Sequence, residues 1–311
     1  MGNPVIRIGC TQYLHTEAML LGTLTLDEFD LHPERAKSID ECTLKTLGGE
    51  YDVGECSLAT FLKISEARTD LKALPVFSRK FLHHYQFCRV DSSIQNPGDL
   101  AGKKVAIPQF WITAGIWHRW LLENYYKIDA GLITWCPLQL DRIEGVPYPK
   151  RYQIDWGYVG ESAPRLLRNR EVDCFIYARK LDDSRGIRTV HPDPMAETMN
   201  FYHDLQVIPI THVFVIKAEL LKTYPSLAGA LIKLFEASRC LGLKDVGNSV
   251  SMYLPFADLH MQTTEELLDV DWNSYGWSKN EYVLETLYNA ACDQGFISGE
   301  RSLEDRFVTL G

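Results

Sequence analysis

Three histidines and one arginine in this sequence are suited to acid–base chemistry on an anionic substrate. Arg79 precedes the adjacent pair His83 and His84 after a predicted strand, and His212 begins another predicted strand. Histidine transfers protons readily because its ordinary pKa is about 6.5. Arginine binds carboxylates through two parallel hydrogen bonds. The sequence therefore predicts His212, His83 or His84 as a proton-transfer group, with Arg79 anchoring a carboxylate.

The same histidines also have structural interpretations. If the run that contains His83 and His84 is extended, the two side chains point to opposite faces, and only one enters a ligand site. The alternative is one buried, hydrogen-bonded histidine and one surface histidine. For His212 the alternative is a strand-start residue whose ring bonds the backbone.

Two predicted helix starts have the features of an anion-binding site. Ser57 and Thr113 each lie where a predicted strand gives way to a helix. Free backbone N–H groups and a capping hydroxyl favour a carboxylate there, although ordinary helix capping explains the same pattern. Glu55 would not bind an anion. We expect it either to accept hydrogen bonds from ring hydroxyls or to pair with a basic neighbour.

Four further side chains are predicted near the ligand. Trp111 is placed to stack on an aromatic ring. Tyr13 and His15 follow the first predicted strand, although His15 also fits the surface of a helix. Arg119 either contacts the ligand or forms an ion pair with Glu123, four residues further along the same helix.

The spacing of metal-ligating residues predicts no metal site. Adjacent histidines on a strand are poor ligands for one ion, and no HExxH-type motif occurs. The eight cysteines are dispersed and include no CxxC pair. This distribution indicates mostly buried, reduced thiols in a cytoplasmic protein, not a disulfide framework or a zinc site.

Composition narrows the class of protein. The chain has 311 residues, 46% of them hydrophobic and 23% charged, which is enough for two domains or one large α/β domain. Its net charge of −9 argues against nucleic-acid and anionic-membrane partners, which require a basic face. We find no secretory signal and no apolar stretch long enough to span a membrane.

The pattern of apolar residues predicts α/β architecture with a parallel sheet, because short apolar runs alternate with helical patterns. The predicted strands are 5–9, 29–31, 51–54, 71–77, 85–90, 105–107, 172–177 and 213–216. The predicted helices are 15–21, 38–47, 58–66, a segment from 113, 164–169, 218–243 and 281–291. The segment 138–155 is predicted as loop.

A turn-rich joint at 96–104 divides the pattern. We interpret this joint as the point where the chain leaves the first α/β unit and begins a second one, after which it returns to the first. The predicted domains are a discontinuous lobe 1, residues 1–90 plus 206–311, and a lobe 2, residues 91–205, with a ligand cleft between them.

Several phrases carry a family resemblance between about residues 5 and 235. They are QYLHTEAMLLG, YDVGECSLATFL, LPVFSRKFLHH, NPGDLAGKKVAIPQFWITAGIWHRWLLENYYKI, LLRNREVDCFI and VIPITHVFVIK. The chain resembles the 4,5-dihydroxyphthalate decarboxylase family, a cytosolic enzyme branch of the type 2 periplasmic-binding-protein superfamily. The phrase DLAGKKVAIP is shared by many binding proteins and indicates fold, whereas PVFSRKFLHH, PQFWITAGIWHRWLL and IPITH are more diagnostic.

The resemblance implies a cofactor-independent decarboxylase that acts on a hydroxylated aromatic carboxylic acid. A ring hydroxyl pushes electrons towards the carbon that bears the carboxylate, a general acid protonates that carbon, and carbon dioxide leaves. The resemblance strengthens the site roles of Arg79, His212 and one of the histidine pair. Two departures bear on the substrate: CPLQLDRIEGVPYPKRY replaces an expected glycine-rich stretch, and Thr211 stands where the family has Met.

Two other functions suit the same fold. One is a non-catalytic solute-binding protein, against which the missing export signal and the dispersed cysteines argue. The other is a different cytosolic enzyme on this scaffold, such as the menaquinone-pathway enzymes. The helical C-terminal third is compatible with homo-oligomers.

Overall fold

The chain forms two compact units, each built on its own β-sheet. The computed structural model describes residues 2–249, 254, 256–268 and 272–309. Unit 1 comprises Met1–Ser78, His212–Tyr282 and Glu300–Gly311. Unit 2 comprises Arg79–Thr211 and Val283–Gly299.

The units differ from the predicted lobes at three segments. Three segments that the sequence places in lobe 1 lie in unit 2, namely residues 79–90, 206–211 and 283–299. The first segment belongs there because its strand pairs with strands of the second sheet. The division into lobes with those boundaries stays a prediction.

Strands of both units are short and mostly buried. In the described part of the chain they are β1 Val5–Cys10, β2 Asp30–Arg35, β3 Val53–Ser57, β4 Leu71–Arg79, β5 Gln86–Arg89, β6 Lys104–Ile107, β7 Thr134–Pro137, β8 Gln153–Ile154, β9 Cys174–Ile176, β10 Ile187–Thr189 and β11 Ile210–Lys217.

The helices range from six to 23 residues. They are α1 Leu14–Leu20, α2 Ile39–Leu47, α3 Leu58–Ile64, α4 Thr113–Trp120, α5 Ala163–Arg168, α6 Pro194–Leu205, α7 Ala218–Thr223, α8 Leu227–Ser249, α9 Ala257–Leu267 and α10 Glu281–Asp293. Polar caps explain several starts: Ser38 accepts from the Glu41 N–H before α2, and Asp193 accepts from Met195 and Ala196 before α6.

The sheet of unit 1 has the strand order β2-β1-β3-β11-β4. Strand β1 is parallel to β2 and β3, whereas β11 runs antiparallel to β3. The carboxyl ends of β1 and β3 therefore share an edge with the beginning of β11. This edge is where an α/β sheet places ligand-binding residues.

Strand β3 is fixed in the middle of this sheet. All five of its residues are buried, which indicates cover on both faces. At Gly54 an added Cβ would lie 1.9 Å from the Thr46 hydroxyl of α2, so only glycine permits this close approach. Phe214 of β11 packs on Phe235 of α8 with ring centroids 4.2 Å apart. Each fully buried side chain of this size contributes about 1.5–3 kcal/mol, so the central strands are held firmly.

The sheet of unit 2 has the order β10-β5-β9-β6-β7-β8. Strands β6, β7, β8 and β9 run parallel to one another. Strand β5 runs antiparallel to its two neighbours, β9 and β10. Helix α5 packs on this sheet through Leu166 and Leu167, which are completely buried. The predicted α/β architecture is confirmed, but the prediction of a parallel sheet was wrong in part, because each sheet also contains antiparallel pairings.

Several predicted elements needed correction. The predicted helix 218–243 is two helices, α7 and α8, because Pro225 between them cannot donate a backbone hydrogen bond. Strands β7 and β10 and helices α6 and α9 were not predicted, and the predicted loop 138–155 contains the two-residue strand β8.

Two expectations from composition can be compared with the structure. Six of the eight cysteines are buried, which confirms the prediction of mostly buried thiols. No helix within the described ranges has the length and apolar character needed to cross a bilayer.

Candidate functional site

The carboxyl edge of the unit 1 sheet collects polar side chains from four strands. Thr11 follows β1, Glu55 lies near the end of β3, Ser78 lies near the end of β4, and His212 lies near the beginning of β11. His212 is paired in register with Ser57, and Glu55 is two residues before Ser57. Diagonal neighbours on adjacent strands are within reach of long side chains, so the strand order itself brings His212 to Glu55.

Glu55 is the centre of this cluster. Its side chain is completely buried and both carboxylate oxygens accept hydrogen bonds. Oε1 accepts from His212 Nδ1 at 2.9 Å and from Ser78 Oγ at 3.0 Å. Oε2 accepts from the Thr11 backbone N–H at 3.1 Å and from the Thr11 hydroxyl.

These bonds keep Glu55 ionised. Burial by itself raises the pKa of the carboxyl group, because a charge is costly where water is excluded. The hydrogen bond and charge of His212 act in the opposite direction, as do the two donors of Thr11. The net effect lowers the pKa of Glu55 below its ordinary value. A buried carboxylate is therefore available to orient a histidine.

His212 presents its other ring nitrogen away from this carboxylate. An ionised carboxylate can only accept, so Nδ1 carries the hydrogen that is shared with Glu55. In the neutral ring, Nε2 then carries the lone pair. The side chain is 18% exposed, so the ring can meet a ligand, whereas Glu55 cannot. The structure thus gives His212 a carboxylate partner in place of the backbone partner of the structural interpretation.

Aromatic rings and a second histidine lie beside His212. The ring of Tyr13 stacks with His212 at a centroid distance of 6.3 Å and with His15 at 5.5 Å. Tyr275 of the same unit meets His15 edge-on at 6.4 Å. His15 Nε2 lies 3.3 Å from Ser78 Oγ. Burial, with the charge of Glu55 as a smaller cause, raises the pKa of Tyr13 to about 12, so its phenol stays neutral.

Ser57 does not cap α3 through its hydroxyl, so the predicted capping was wrong, whereas binding of an anion there stays a prediction. Ser57 occupies the N-cap position, but its hydroxyl makes no bond to the first-turn N–H groups, and its own backbone N–H donates to Thr43 Oγ1 at 3.1 Å. Its backbone is still in the β3 ladder, opposite His212, which explains why the hydroxyl is not turned towards the helix.

The predicted site residues at the end of β4 and directly after it belong to unit 2. Arg79 is the last residue of β4 and is half-buried. His83 and His84 lie in a 3₁₀ turn, His83–Tyr85, so the condition of an extended run, under which the two rings would point to opposite faces, is not met. His83 is completely buried, but neither of its ring nitrogens has a hydrogen-bond partner within the described residues, and His84 is half-buried, so the structural interpretation of one hydrogen-bonded and one surface histidine is met only in the burial of His83. Burial and the neighbouring His191 lower the pKa of His83 to about 3.

Thr113 was predicted as the residue that caps α4, but α4 begins at Thr113 itself, one residue earlier than that prediction implies. Ile112 is the N-cap, with extended backbone angles, and Thr113 is the first helical residue, so Thr113 is not the capping residue. Trp111 packs against other rings: it stacks on Tyr148 at 6.1 Å and on Phe296 at 4.8 Å. Stacking of Trp111 on a ligand stays a prediction.

Arg119 lies inside unit 2 among aromatic rings. Its side chain is completely buried, with the guanidinium carbon 4.0 Å from the centroid of Phe110. Its Nε donates to Gln294 Oε1 at 2.7 Å, so the expected pair with Glu123 is wrong. Glu123 pairs with Arg151 at 2.8 Å instead. Contact of Arg119 with a ligand stays a prediction.

Sequence reasoning missed two members of the unit 1 cluster, Thr11 and Ser78. Thr11 directly follows the first predicted strand, where site residues of α/β sheets gather, so its position was a usable signal. Ser78 lies next to Arg79 within the diagnostic phrase LPVFSRKFLHH, but a single serine has no distinguishing pattern. Within the described residues no group of three or more His, Cys, Asp or Glu side chains is arranged to hold a metal ion.

Comparison with known proteins supports the resemblance. No protein-family model matches the chain. A curated protein of Comamonas testosteroni named 4,5-dihydroxyphthalate decarboxylase is 29% identical over 250 residues, which is 76% of each chain. A second protein of that name, from Pseudomonas putida, is 35% identical over 88 residues, 28% of this chain and 34% of the relative. The predicted resemblance is confirmed, and both named relatives are decarboxylases, that is, carboxy-lyases.

Solved structures establish the fold. The periplasmic aliphatic sulphonate binding protein of Escherichia coli matches with a TM-score of 0.60 at 12% sequence identity, covering 99% of this chain and 93% of that one. The chain therefore has the periplasmic-binding-protein fold, as predicted.

Proposed function

We propose that this protein is a decarboxylase of a hydroxylated aromatic carboxylic acid similar to 4,5-dihydroxyphthalate. The observation that carries the proposal is the bond of 2.9 Å between His212 and the buried carboxylate of Glu55 at the carboxyl edge of the unit 1 sheet. The names of the two curated relatives supply the reaction class and the substrate class.

The chemistry needs an acid that can protonate a ring carbon. A hydroxyl para to the departing carboxylate donates electrons into the ring, and the carbon that bears the carboxylate becomes basic. His212 Nε2 delivers a proton to this carbon, while Glu55 holds the imidazole through Nδ1 and stabilises its charged form. The C–COO⁻ bond then breaks, its electrons restore the aromatic ring, and carbon dioxide leaves.

The other residues position the substrate in this proposal. Arg79, directly after Ser78 in the chain, anchors a carboxylate through its planar guanidinium. Tyr13 is 36% exposed and lies next to His212, so in this proposal its ring packs against the aromatic substrate. Thr11 keeps Glu55 ionised through its two hydrogen bonds.

The direct test is product formation. The purified protein is incubated with 4,5-dihydroxyphthalate and with a panel of hydroxybenzoates, and carbon dioxide and the aromatic product are quantified. We expect 3,4-dihydroxybenzoate from 4,5-dihydroxyphthalate, since loss of either carboxylate gives that compound. Tight binding without turnover over the whole panel would contradict the proposal and favour a non-catalytic binding role, which the fold also supports.

A further inference from the structure

A second imidazole is connected to the carboxylate that orients His212. Ser78 Oγ lies 3.0 Å from Glu55 Oε1 and 3.3 Å from His15 Nε2. A hydroxyl has one hydrogen, and here it goes to the carboxylate, which can only accept. Ser78 therefore accepts from His15 Nε2–H. His15 and His212 share one buried carboxylate, the first through a hydroxyl and the second directly.

We propose that His15 is a second catalytic residue, a base that removes the phenolic proton of the substrate, and that Ser78 is its positioning residue. This inference rests on the proposed decarboxylation and extends it, because it assigns the two proton transfers of that reaction to different histidines.

The positions of the two reacting atoms on the substrate ring require two separate proton-transfer groups. The hydroxyl that donates electrons and the carbon that loses carbon dioxide are para to each other, at opposite ends of the ring. One imidazole cannot accept a proton at one end while it donates a proton at the other. His15 and His212 both lie against Tyr13, so a ring bound beside Tyr13 is within reach of both.

His15 Nδ1 accepts the phenolic proton while the oxygen forms a double bond to the ring, and the displaced electron pair takes a proton from His212 Nε2 at the carbon that bears the carboxylate. The C–COO⁻ bond then breaks, its electron pair restores the ring, and the ring oxygen recovers its proton from His15. Each turnover consumes one proton, which His212 regains from solvent, and His15 ends unchanged.

Because His15 and His212 share the carboxylate of Glu55, the positive charge that moves between the two imidazoles keeps the same negative partner. Before the first step the positive charge is on His212, in direct contact with Glu55. After that step it is on His15, bonded to Ser78, which donates to the same carboxylate oxygen. The positive charge moves but its buried negative partner stays the same, so neither state leaves Glu55 uncompensated.

Rings on two sides restrain the imidazole of His15. Tyr13 stacks on it with an interplanar angle of 30°, and Tyr275 packs edge-on at 76°. Together with the bond to Ser78, these contacts limit rotation of the ring. A base held this way loses little freedom when the substrate binds.

The test compares His15→Gln and Ser78→Ala with His203→Gln as the matched control, because the His203 side chain is 89% exposed. Each variant is checked for wild-type circular dichroism, and carbon dioxide release is measured with 4,5-dihydroxyphthalate and with a ring-chlorinated analogue. Chlorine makes the phenol more acidic, so the reaction depends less on a base. We expect His15→Gln to lower kcat about 100-fold with the first substrate, and we expect the deficit to shrink with the chlorinated one. Ser78→Ala should show a smaller deficit with the same trend.

Each outcome has a distinct meaning. A wild-type protein that releases no carbon dioxide from the whole panel overturns both the proposed function and the role of His15. A wild type that turns over, with His15→Gln as active as His203→Gln, overturns the role of His15 alone. A deficit in His15→Gln that is equal for the two substrates overturns it as well, because it would indicate a structural effect.

Discussion

Each unit contains a cluster of histidines: those of unit 1 are partly exposed and one of them bonds to a carboxylate, whereas those of unit 2 are buried and, within the described residues, bond to none. In unit 1, His212 bonds directly to the ionised Glu55. In unit 2, His83, His118 and His191 lie among rings and amides, and both ring nitrogens of His83 lack a hydrogen-bond partner within the described residues. His83 and His191 are neighbours, with ring centroids 5.7 Å apart.

The difference has a chemical consequence. Burial lowers the pKa of His83 and of His118 to about 3 and lowers that of His191 as well. These rings are neutral at physiological pH and cannot deliver protons there. A histidine that is buried without a carboxylate contributes packing, whereas His212 keeps a partner for its charged form. The pair of adjacent histidines that the sequence singled out thus lies in the less reactive of the two environments.

The largest expected effect is from His212→Gln. If His212 is the acid that protonates the ring carbon, kcat should fall about 10²–10⁴-fold, which is the usual contribution of a general acid to the reaction rate. Binding of 3,4-dihydroxybenzoate, measured by calorimetry, should change little. The same substitution at His83 should leave kcat nearly unchanged. Equal losses for the two variants would remove the distinction between the clusters.

The next effect is from Glu55→Gln, which keeps the shape of the side chain and removes its charge. We expect kcat to fall about 100-fold, because His212 loses its orientation and the partner of its charged form. Asp52→Asn is the matched control, since Asp52 pairs with Arg7 and Lys217 and with no histidine. Full activity in Glu55→Gln would show that His212 works without its carboxylate.

The unit 2 cluster should make stability depend on pH. Unfolded His83 binds a proton below its ordinary pKa of 6.5, but folded His83 does so only near 3. Protonation therefore favours the unfolded chain, so stability is complete above pH 6.5 and is lost as the pH falls towards 3. Between pH 6.5 and 4.5 the loss from this residue is about 2–3 kcal/mol.

Urea unfolding at several pH values measures this loss. The variant His83→Phe should have a flatter stability profile over that range than the wild type. Glu55, whose pKa is lowered, contributes stability that is lost only at more acidic pH, below its ordinary value of 4.5. An identical slope for the wild type and His83→Phe would contradict the burial of a neutral imidazole.

The smallest effect is expected at Arg119, the buried cation of unit 2. Arg119→Met should change the unfolding free energy by no more than about 1 kcal/mol, towards greater stability, because a buried guanidinium without a carboxylate partner is costly. Arg119→Lys should be less stable than Arg119→Met, since an ammonium group does not stack on Phe110. A large rise in KM for Arg119→Met would instead support the prediction that Arg119 contacts the ligand.

Local patterns were enough to predict most strands and several helices. Apolar runs gave β1, β3, β6 and β11, because short buried strands of an α/β sheet are continuous apolar segments. The turn at His83–Tyr85 was not predictable, since the phrase FLHHY is equally compatible with a strand. Its conformation depends on contacts with distant rings such as Phe201.

The members of the site were easier to predict than their partners. Glu55 and His212 were singled out separately, but they are 157 residues apart, and their meeting depends on β11 lying beside β3 in the sheet. The same limit applies to Arg119, whose partner Gln294 is 175 residues away, so a local rule favoured Glu123. Strand order and long-range packing, which a single sequence does not reveal, decide these pairs.

The most direct test of the central claim is a nitrogen NMR spectrum of the His212 ring, with and without bound 3,4-dihydroxybenzoate. We expect Nδ1 to carry hydrogen in both states, because Glu55 holds it, and we expect only the Nε2 signal to move strongly when the ligand binds. An Nε2 signal that does not respond to the ligand, or an Nδ1 without hydrogen in the free protein, would contradict the account.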